Sequence, residues 1–489
     1  PISFPPMQNN RIFMANIHEH AVLSDILVSR GSSFVAKHGE DFMMANNAQW
    51  IGFSLEIGPD GGLYVLDWHD ADICGTSVAH KETGRIFRIM PQRSHAEEWM
   101  GRYDDLAKFS DLELAELQLS PSDWHARRAR VILQGRAVKE AISPQAIEKL
   151  INIYKNESNS DLRLRGLWAL HVTRALHEND LLRALEDSDE YIRAWSVQLL
   201  GEDKIISSNA LQKFYTMAIN DTSAIVRLYL AAVLQRIPIN NRWEIISALS
   251  QRSEDKNDHN IPKMIWFAME PNVAIDVERG LKIGLETKMP IIAEYIARRV
   301  LDANGMEQLL AAIQKPSANQ KYLLNGLRNE IENRSDIKPS VNWKKTYALL
   351  SSNESTKGIA IEIAQLFGSA DAANQLLTIV EDTNELLEDR QKSLTALASR
   401  AWSGLKPKIS EFMDDPDLRI QAIRAITHYK DPELGWDMFE RFETFNEKEK
   451  LEILLALSSR RVYANILTEA IIEGLIMKSE IPAHIARQL

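Results

Sequence analysis

Cysteine is nearly absent: Cys74 is the single one in 489 residues. No internal disulfide can form, and a Cys-x-x-Cys-His haem attachment is excluded within the chain. No apolar run approaches the roughly 18–20 residues that a membrane-spanning helix needs. There is no Gly-x-x-x-x-Gly-Lys-Ser/Thr loop, no Gly-x-Ser-x-Gly elbow and no His-Glu-x-x-His helix, so phosphate-loop, serine-hydrolase and zincin chemistry have no support. Positive charge is the scarcer sign. The 57 Lys and Arg against 68 Asp and Glu leave a net charge of −11, which argues against a general nucleic-acid binder, since phosphate contacts need a basic face. Pro1 shows neither an initiator Met nor a signal-peptide pattern, as expected of a processed or truncated start.

The first ninety or so residues carry short β-like runs: Arg11 to Ile17, Ala21 to Val28, Phe53 to Ile57, Leu63 to Asp67 and Arg85 to Met90. Between two of them stands Gly58-Pro59-Asp60-Gly61-Gly62. Pro presets φ and Gly supplies φ > 0, so this is turn chemistry and predicts a hairpin. The pattern reads as one to two blades of a β-propeller. A complete propeller needs at least about four blades of about 40–50 residues each, so the remaining blades are expected upstream or on another molecule.

From Trp99 onward the apolar period becomes helical, and a motif recurs: an apolar residue, a basic one, then a helical apolar stripe. Ala126-Arg127, Leu162-Arg163, Ile192-Arg193, Val226-Arg227 and Leu418-Arg419 fit best. Weaker copies stand at Lys263, Lys321, Lys357, Arg390 and Lys450. Successive basic positions are 36, 30, 34 and 36 residues apart through Lys263, and 36, 33, 29 and 31 apart from Lys321 to Lys450, a period that marks a helical repeat array. Asp161, Asp189, Asp221 and Asp417 precede several of these positions. Each is expected to cap a helix and pair with the arginine of a neighbouring repeat, forming a structural ladder.

On this repetition the chain resembles the HEAT-like α-solenoids over residues 105–489. The expected fold is mainly α: a HEAT-like solenoid after a partial propeller at 1–92 and a linker at 93–104. The N-terminal segment resembles the end of the propeller in large bacterial proteins of the membrane-bound dehydrogenase type, whose propellers are similar to glucose/sorbosone dehydrogenases. Asn16-Ile17-His18-Glu19-His20, Asp41-Phe42, Ile57 to Val65, Asp67-Trp68 and Gly84 to Ile89 carry that resemblance. It implies a periplasmic or extracellular protein that oxidises a sugar or other polar substrate. It further implies a quinone cofactor with Ca²⁺ and a c-type haem in domains outside this chain, the chain alone being without turnover.

Five residues are candidates for contact with a substrate or metal. His18 and His20, at i and i+2, would share one face of a strand; ordinary hydrogen bonding at a blade edge is the alternative. Asp67, His69 and Asp70 cluster with Asp72 where a strand opens into a loop, and could bind a cation or tune an imidazole for base chemistry. Loop capping by Asp is the alternative there. Cys74 and His80 lie in or beside that loop, and Arg85 is expected to pair with the carboxylate of a neighbouring blade. Trp124, Trp168, Trp195, Trp266 and Trp402 recur in the helical stripes and read either as inter-helix core or as a groove for an extended partner. His125, His171 and His177 lack zinc-ligand spacing. Protein partners are expected on the solenoid and a carbohydrate-like molecule at the propeller; no membrane span is expected. The competing reading is a non-enzymatic interaction scaffold whose β segment caps the first helices.

Overall fold

The computed structural model describes residues 4, 11–70, 81–92, 95–334 and 336–487. Two units are distinguished, Pro1–Met269 and Glu270–Leu489.

The first unit opens with two small antiparallel sheets. One holds β1 (Arg11–Asn16), β2 (Ala21–Arg30), β3 (Ser33–His38) and the short β4 (Met43–Met44). The other holds β5 (Gly52–Ile57), β6 (Leu63–Asp67) and β7 (Arg85–Ile89), in that order. The Pro59 turn joins β5 to β6 as its sequence predicts: Gly61 N–H donates to Gly58 O at 3.0 Å, and Gly61 takes φ +76°. β3 was not anticipated. It follows β2 through the tight turn Gly31–Ser32, where Gly31 sits at φ +58°. The β2–β3 hairpin reaches Asp258, which precedes the helix Ile261–Ile275.

The sheets pack through their inner faces. Phe13, Ala15 and Val22 from the first meet Leu55, Leu63, Val65, Phe87 and Ile89 from the second around Trp50. Both outer faces mix exposed apolar residues with polar ones such as Asp25 and His38 on the first sheet and Glu56 and Arg88 on the second. Register places Ile12, Met14 and Phe34 on the outer side of the first sheet, and Leu66, Trp68 and Ile86 on that of the second. All six are exposed, Ile86 by 69%. An antiparallel sheet ordinarily turns one polar face to water.

Helices follow in pairs, and their starts are written in the sequence by capping residues. Ser122, Asn159, Asp189, Ser207 and Ser223 each accept a backbone N–H from the first turn of the following helix, meeting donors that have no intrahelical partner. Second members of successive pairs lie against one another: Asp123–Ala137, Ser160–Val172, Glu190–Leu200 and Ala224–Val233. The second unit repeats the arrangement with Pro290–Asp302, Gln320–Asn333, Glu354–Leu366, Leu387–Ser399, Arg419–Ile426 and Glu447–Ser458. The fold is an α-solenoid preceded by small antiparallel sheets. No helix of the described residues is long and apolar enough to cross a membrane.

Candidate functional site

The candidate histidines of the first hairpin do not share a strand face. β1 ends at Asn16, whose Oδ1 accepts the N–H groups of His18 and Glu19 at 2.9 and 3.1 Å and so starts the turn. His18 is exposed within that turn, and His20 closes it at φ +55°. The His20 ring is held elsewhere, its Nδ1 donating to Trp50 O at 2.7 Å. The i, i+2 geometry fails because an Asx turn ends the strand first.

Asp67 is buried at the end of β6 and joins three segments. Its Oδ1 accepts from Ile51 N at 2.7 Å and His69 N at 3.0 Å; its Oδ2 accepts from Arg85 Nε at 2.8 Å and lies 2.6 Å from Nη2 in the same ion pair. These three donors and the ion pair spend most of the carboxylate's capacity within the protein. Arg85 therefore pairs within its own sheet, opposite Asp67 in register, and not with a neighbouring blade. His69 follows at φ +55°, with Nδ1 2.7 Å from Thr83 Oγ1, and Asp70 is buried. Asp72, Cys74 and His80 lie outside the described residues. Thus Asp67 and His69 are brought together, while His20 and Asp67 bind adjacent residues, Trp50 and Ile51, from different sheets. Among the described residues no group of three His, Cys, Asp or Glu converges to hold a metal ion.

A second buried carboxylate went unnoticed in the sequence. Asp60 accepts Gly62 N at 3.0 Å, Tyr64 OH at 2.9 Å and Arg88 Nε at 2.6 Å. Burial pushes its pKa up, but hydrogen bonds from Gly62, Tyr64 and Arg88 outweigh that and hold it below the usual carboxylate value. Asp60–Arg88 and Asp67–Arg85 lock the two ends of β6 to β7. Beside the latter pair, Phe53, Leu66, Trp68 and Ile86 line an apolar depression on the outer face.

In the solenoid the arginine ladder is present, with altered carboxylates. Arg163 meets Asp187 at 2.5 Å, Arg193 meets Asp221 at 2.8 Å, and Arg227 meets Asp255 at 2.5 Å. In the second unit Arg390 meets Asp415 at 2.9 Å and Arg419 meets Glu449 at 3.0 Å. Each arginine also donates to a carbonyl ahead of its own helix, as Arg163 does to Tyr154 O and Arg227 to Asp221 O. One guanidinium thus ties a helix pair internally and to the next pair.

Of the four expected aspartates, Asp221 pairs as foreseen. Asp189 only caps, and Asp187, two residues earlier, takes the arginine; Asp415 likewise replaces Asp417. The reason is an Asx turn. The pairing carboxylate also accepts the N–H two residues on, as in Asp187 with Asp189 N and Asp415 with Asp417 N, so the residue that shapes the turn faces the arginine. Asp161 is an exposed first-turn residue behind the true cap, Asn159. Arg127 stays within its own helix on Asp123, as Lys357 stays with Glu354.

The tryptophans are half-buried between neighbouring helices. Trp168 and Trp195 meet edge to face with centroids 4.9 Å apart, and Trp195 and Tyr229 lie 6.3 Å apart. Arg130 lies over the Trp168 ring at 5.2 Å. His125 is fully buried against Trp99 and Trp124, between Ser122 Oγ at 2.7 Å and Gly101 O at 3.1 Å. Burial lowers its pKa.

No protein-family model and no curated protein matches the sequence. Among solved structures, Kap121p is similar at 13% identity and TM-score 0.44, over 77% of this chain and 44% of that one. A Kap121p mutant gives 12% identity and the same TM-score and coverage. An engineered protein is similar at 13% identity and TM-score 0.22, over 74% of this chain and 98% of that one. The chain spans less than half the length of Kap121p. At such TM-scores the solenoid assignment rests on this chain's own helix pairs and ladder.

Proposed function

We propose that the protein is an interaction scaffold, in which stacked helix pairs present a fixed surface to protein partners and the β segment is clamped to the array through Ser32 and Asp258. The observation that carries this reading is the ladder. Successive pairs are cross-tied by buried or half-buried arginine–carboxylate contacts, which make a stiff support for extended binding surfaces. The scaffold reading is supported by Asp67, a candidate for chemistry, whose oxygens meet strands and turns of its own sheet, as those of Asp60 do. Photo-crosslinking from exposed helix positions in the native cell tests it. Partner adducts clustered on the helices are expected; their absence, together with catalytic turnover, overturns it.

A second reading follows the sequence resemblance: part of an exported propeller–solenoid protein of the dehydrogenase type, acting on a sugar or other polar substrate with a quinone, Ca²⁺ and a haem domain elsewhere. It is favoured by the large apolar residues exposed on the outer sheet faces, Ile12, Met14, Phe34, Trp68 and Ile86, which suit sheets packed against further blades as in a propeller. In that setting His18, His20, Asp67, His69 and Asp70 would stand near a channel. Its test is oxidation of sugars and alcohols by the complete reading frame with an artificial acceptor, with and without Ca²⁺ and a quinone. Flanking sequence without propeller strands would sink it.

A further inference from the structure

The ladder arginines Arg163, Arg193 and Arg227 each have a carboxylate of the following helix pair to themselves. The helix Asp123–Ala137 is different. Arg127, at 2.6 Å, and Arg165, at 3.2 Å, share the single carboxylate of Asp123. Arg130 beside them donates to a neutral group, Gln118 Oε1 at 3.0 Å. Two guanidinium groups therefore share one carboxylate and a third beside them meets only an amide oxygen and a tryptophan ring, with Arg128 exposed on the next turn face, in a chain whose net charge is −11.

The same helix turns an uncovered stripe outward. Arg127, Val131, Gln134 and Val138 fall within about 60° of one another at 3.6 residues per turn, and all four are exposed. Val131 is exposed by 55% and Val138 by 66%. Gly135 beside them would find nothing within 4 Å of an added Cβ. The stripe is cationic at its first turn, apolar after it, and bordered by the Arg130–Trp168 stack.

We propose that this face docks a helical segment of a partner protein that carries Asp or Glu at one end and apolar residues at i, i+4 and i+7 beyond it. The acidic end would meet Arg127, which shares Asp123 with Arg165, and Arg130, which donates to a neutral amide, adding carboxylates where cations outnumber them. The apolar residues would cover Val131 and Val138, side chains four and seven positions apart on one helix being able to pack along one face of another. The inference rests on the scaffold reading and names one surface and one partner chemistry within it.

The test is fluorescence anisotropy of the full chain with two fluorescein-labelled amphipathic peptides, identical except that one carries glutamates and the other lysines ahead of the leucine stripe. Saturable binding of the glutamate peptide is expected, weakened at least tenfold by Arg130→Glu and by Val131→Asp and absent for the lysine peptide. Val131 is exposed enough for its variant to keep the fold, as unchanged circular dichroism will register. Equal binding of both peptides, no binding, or binding indifferent to both variants overturns the proposal. If crosslinks to partners still form elsewhere on the helices, the scaffold reading stands and this surface alone fails.

Discussion

Both oxygens of the Asp258 carboxylate hold Ser32: Oδ2 accepts its backbone N–H at 2.7 Å and Oδ1 its hydroxyl at 2.6 Å, across 226 positions of sequence. Oδ1 also accepts from Asn260 and Ile261 at the start of the next helix, both at 2.9 Å. One carboxylate thus caps a solenoid helix and pins the tip of the β2–β3 hairpin to it. Gly31 is part of the fit, because its φ of +58° suits glycine and an added Cβ would come within 2.2 Å of Asp258 Oδ2.

Asp258→Ala should therefore free the hairpin and cost about 2–4 kcal/mol, hydrogen bonds to a charged group being the stronger kind. Burial raises the pKa of Asp258, but hydrogen bonds from Ser32, Ile261 and Asn260 prevail and lower it. A carboxylate depressed in the folded state adds stability that is complete above its ordinary value of about 3.9 and is lost as pH falls through the folded value. Amide exchange across β2 and β3 should accelerate at neutral pH in the variant, and in the native chain only at strongly acid pH. Exchange unchanged in Asp258→Ala would show that the hairpin is held by other contacts.

Arg227 and Asp255 form the most buried rung of the ladder, their side chains 3% and 4% exposed. Truncating Arg227 to Ala leaves a buried carboxylate without its partner and should cost about 3–5 kcal/mol. Arg424→Ala, whose pair with Glu452 leaves the arginine 62% exposed, should cost less than about 1 kcal/mol. Urea unfolding of the two variants side by side checks the ratio. Similar losses would mean that the rungs differ in burial without differing in worth.

How much of this could be read beforehand depended on the distance over which each interaction acts. The turn at Gly58–Gly62, the strands around it, and the repeat spacing of Arg163, Arg193 and Arg227 are local or periodic, so they stand plainly in the sequence. The exchange of Asp189 for Asp187 turned on an Asx geometry two residues long, which residue spacing alone does not resolve. The Ser32–Asp258 clamp left no trace, because a polar side chain in a turn looks the same whether it faces water or a distant helix. Asp67 reads as a site residue because buried aspartates at strand ends serve both chemistry and architecture; what the sequence does not show is the three donors and the ion pair that give it an architectural role.

Helix glycines give a paired comparison. In Gln320–Asn333, an added Cβ at Gly326 would lie 2.4 Å from Glu294 O and 2.7 Å from Ala297 Cβ, so backbone of the adjacent helix must move. Gly326→Ala should cost about 1–3 kcal/mol, as overpacking does. In Glu354–Leu366, Gly358 has nothing within 4 Å, and Gly358→Ala should gain about 0.5–1 kcal/mol from helix propensity alone. Thermal unfolding should shift in opposite directions for the two variants.

His125 should set an acid limit on the stability of the first helices. It is fully buried, and desolvation holds its pKa below the usual histidine value against the opposing hydrogen bonds of the Gly101 and Arg102 backbone. The unfolded chain therefore takes up a proton at a higher pH than the folded one, and between the two values the unfolded state binds more protons. Stability is then complete above about pH 6.5 and declines as pH falls below it. Trp99 and Trp124 pack against the imidazole at 6.3 and 5.0 Å between centroids, so their emission should report the loss. The unfolding midpoint in urea should fall between pH 7 and pH 5.5, well above the range in which carboxylates titrate. His125→Gln should flatten that slope, at the cost of a lower midpoint throughout, since the buried Ser122 hydroxyl and Gly101 carbonyl would lose their fitted partner. A variant with the same slope as the native chain would assign the acid sensitivity to another group.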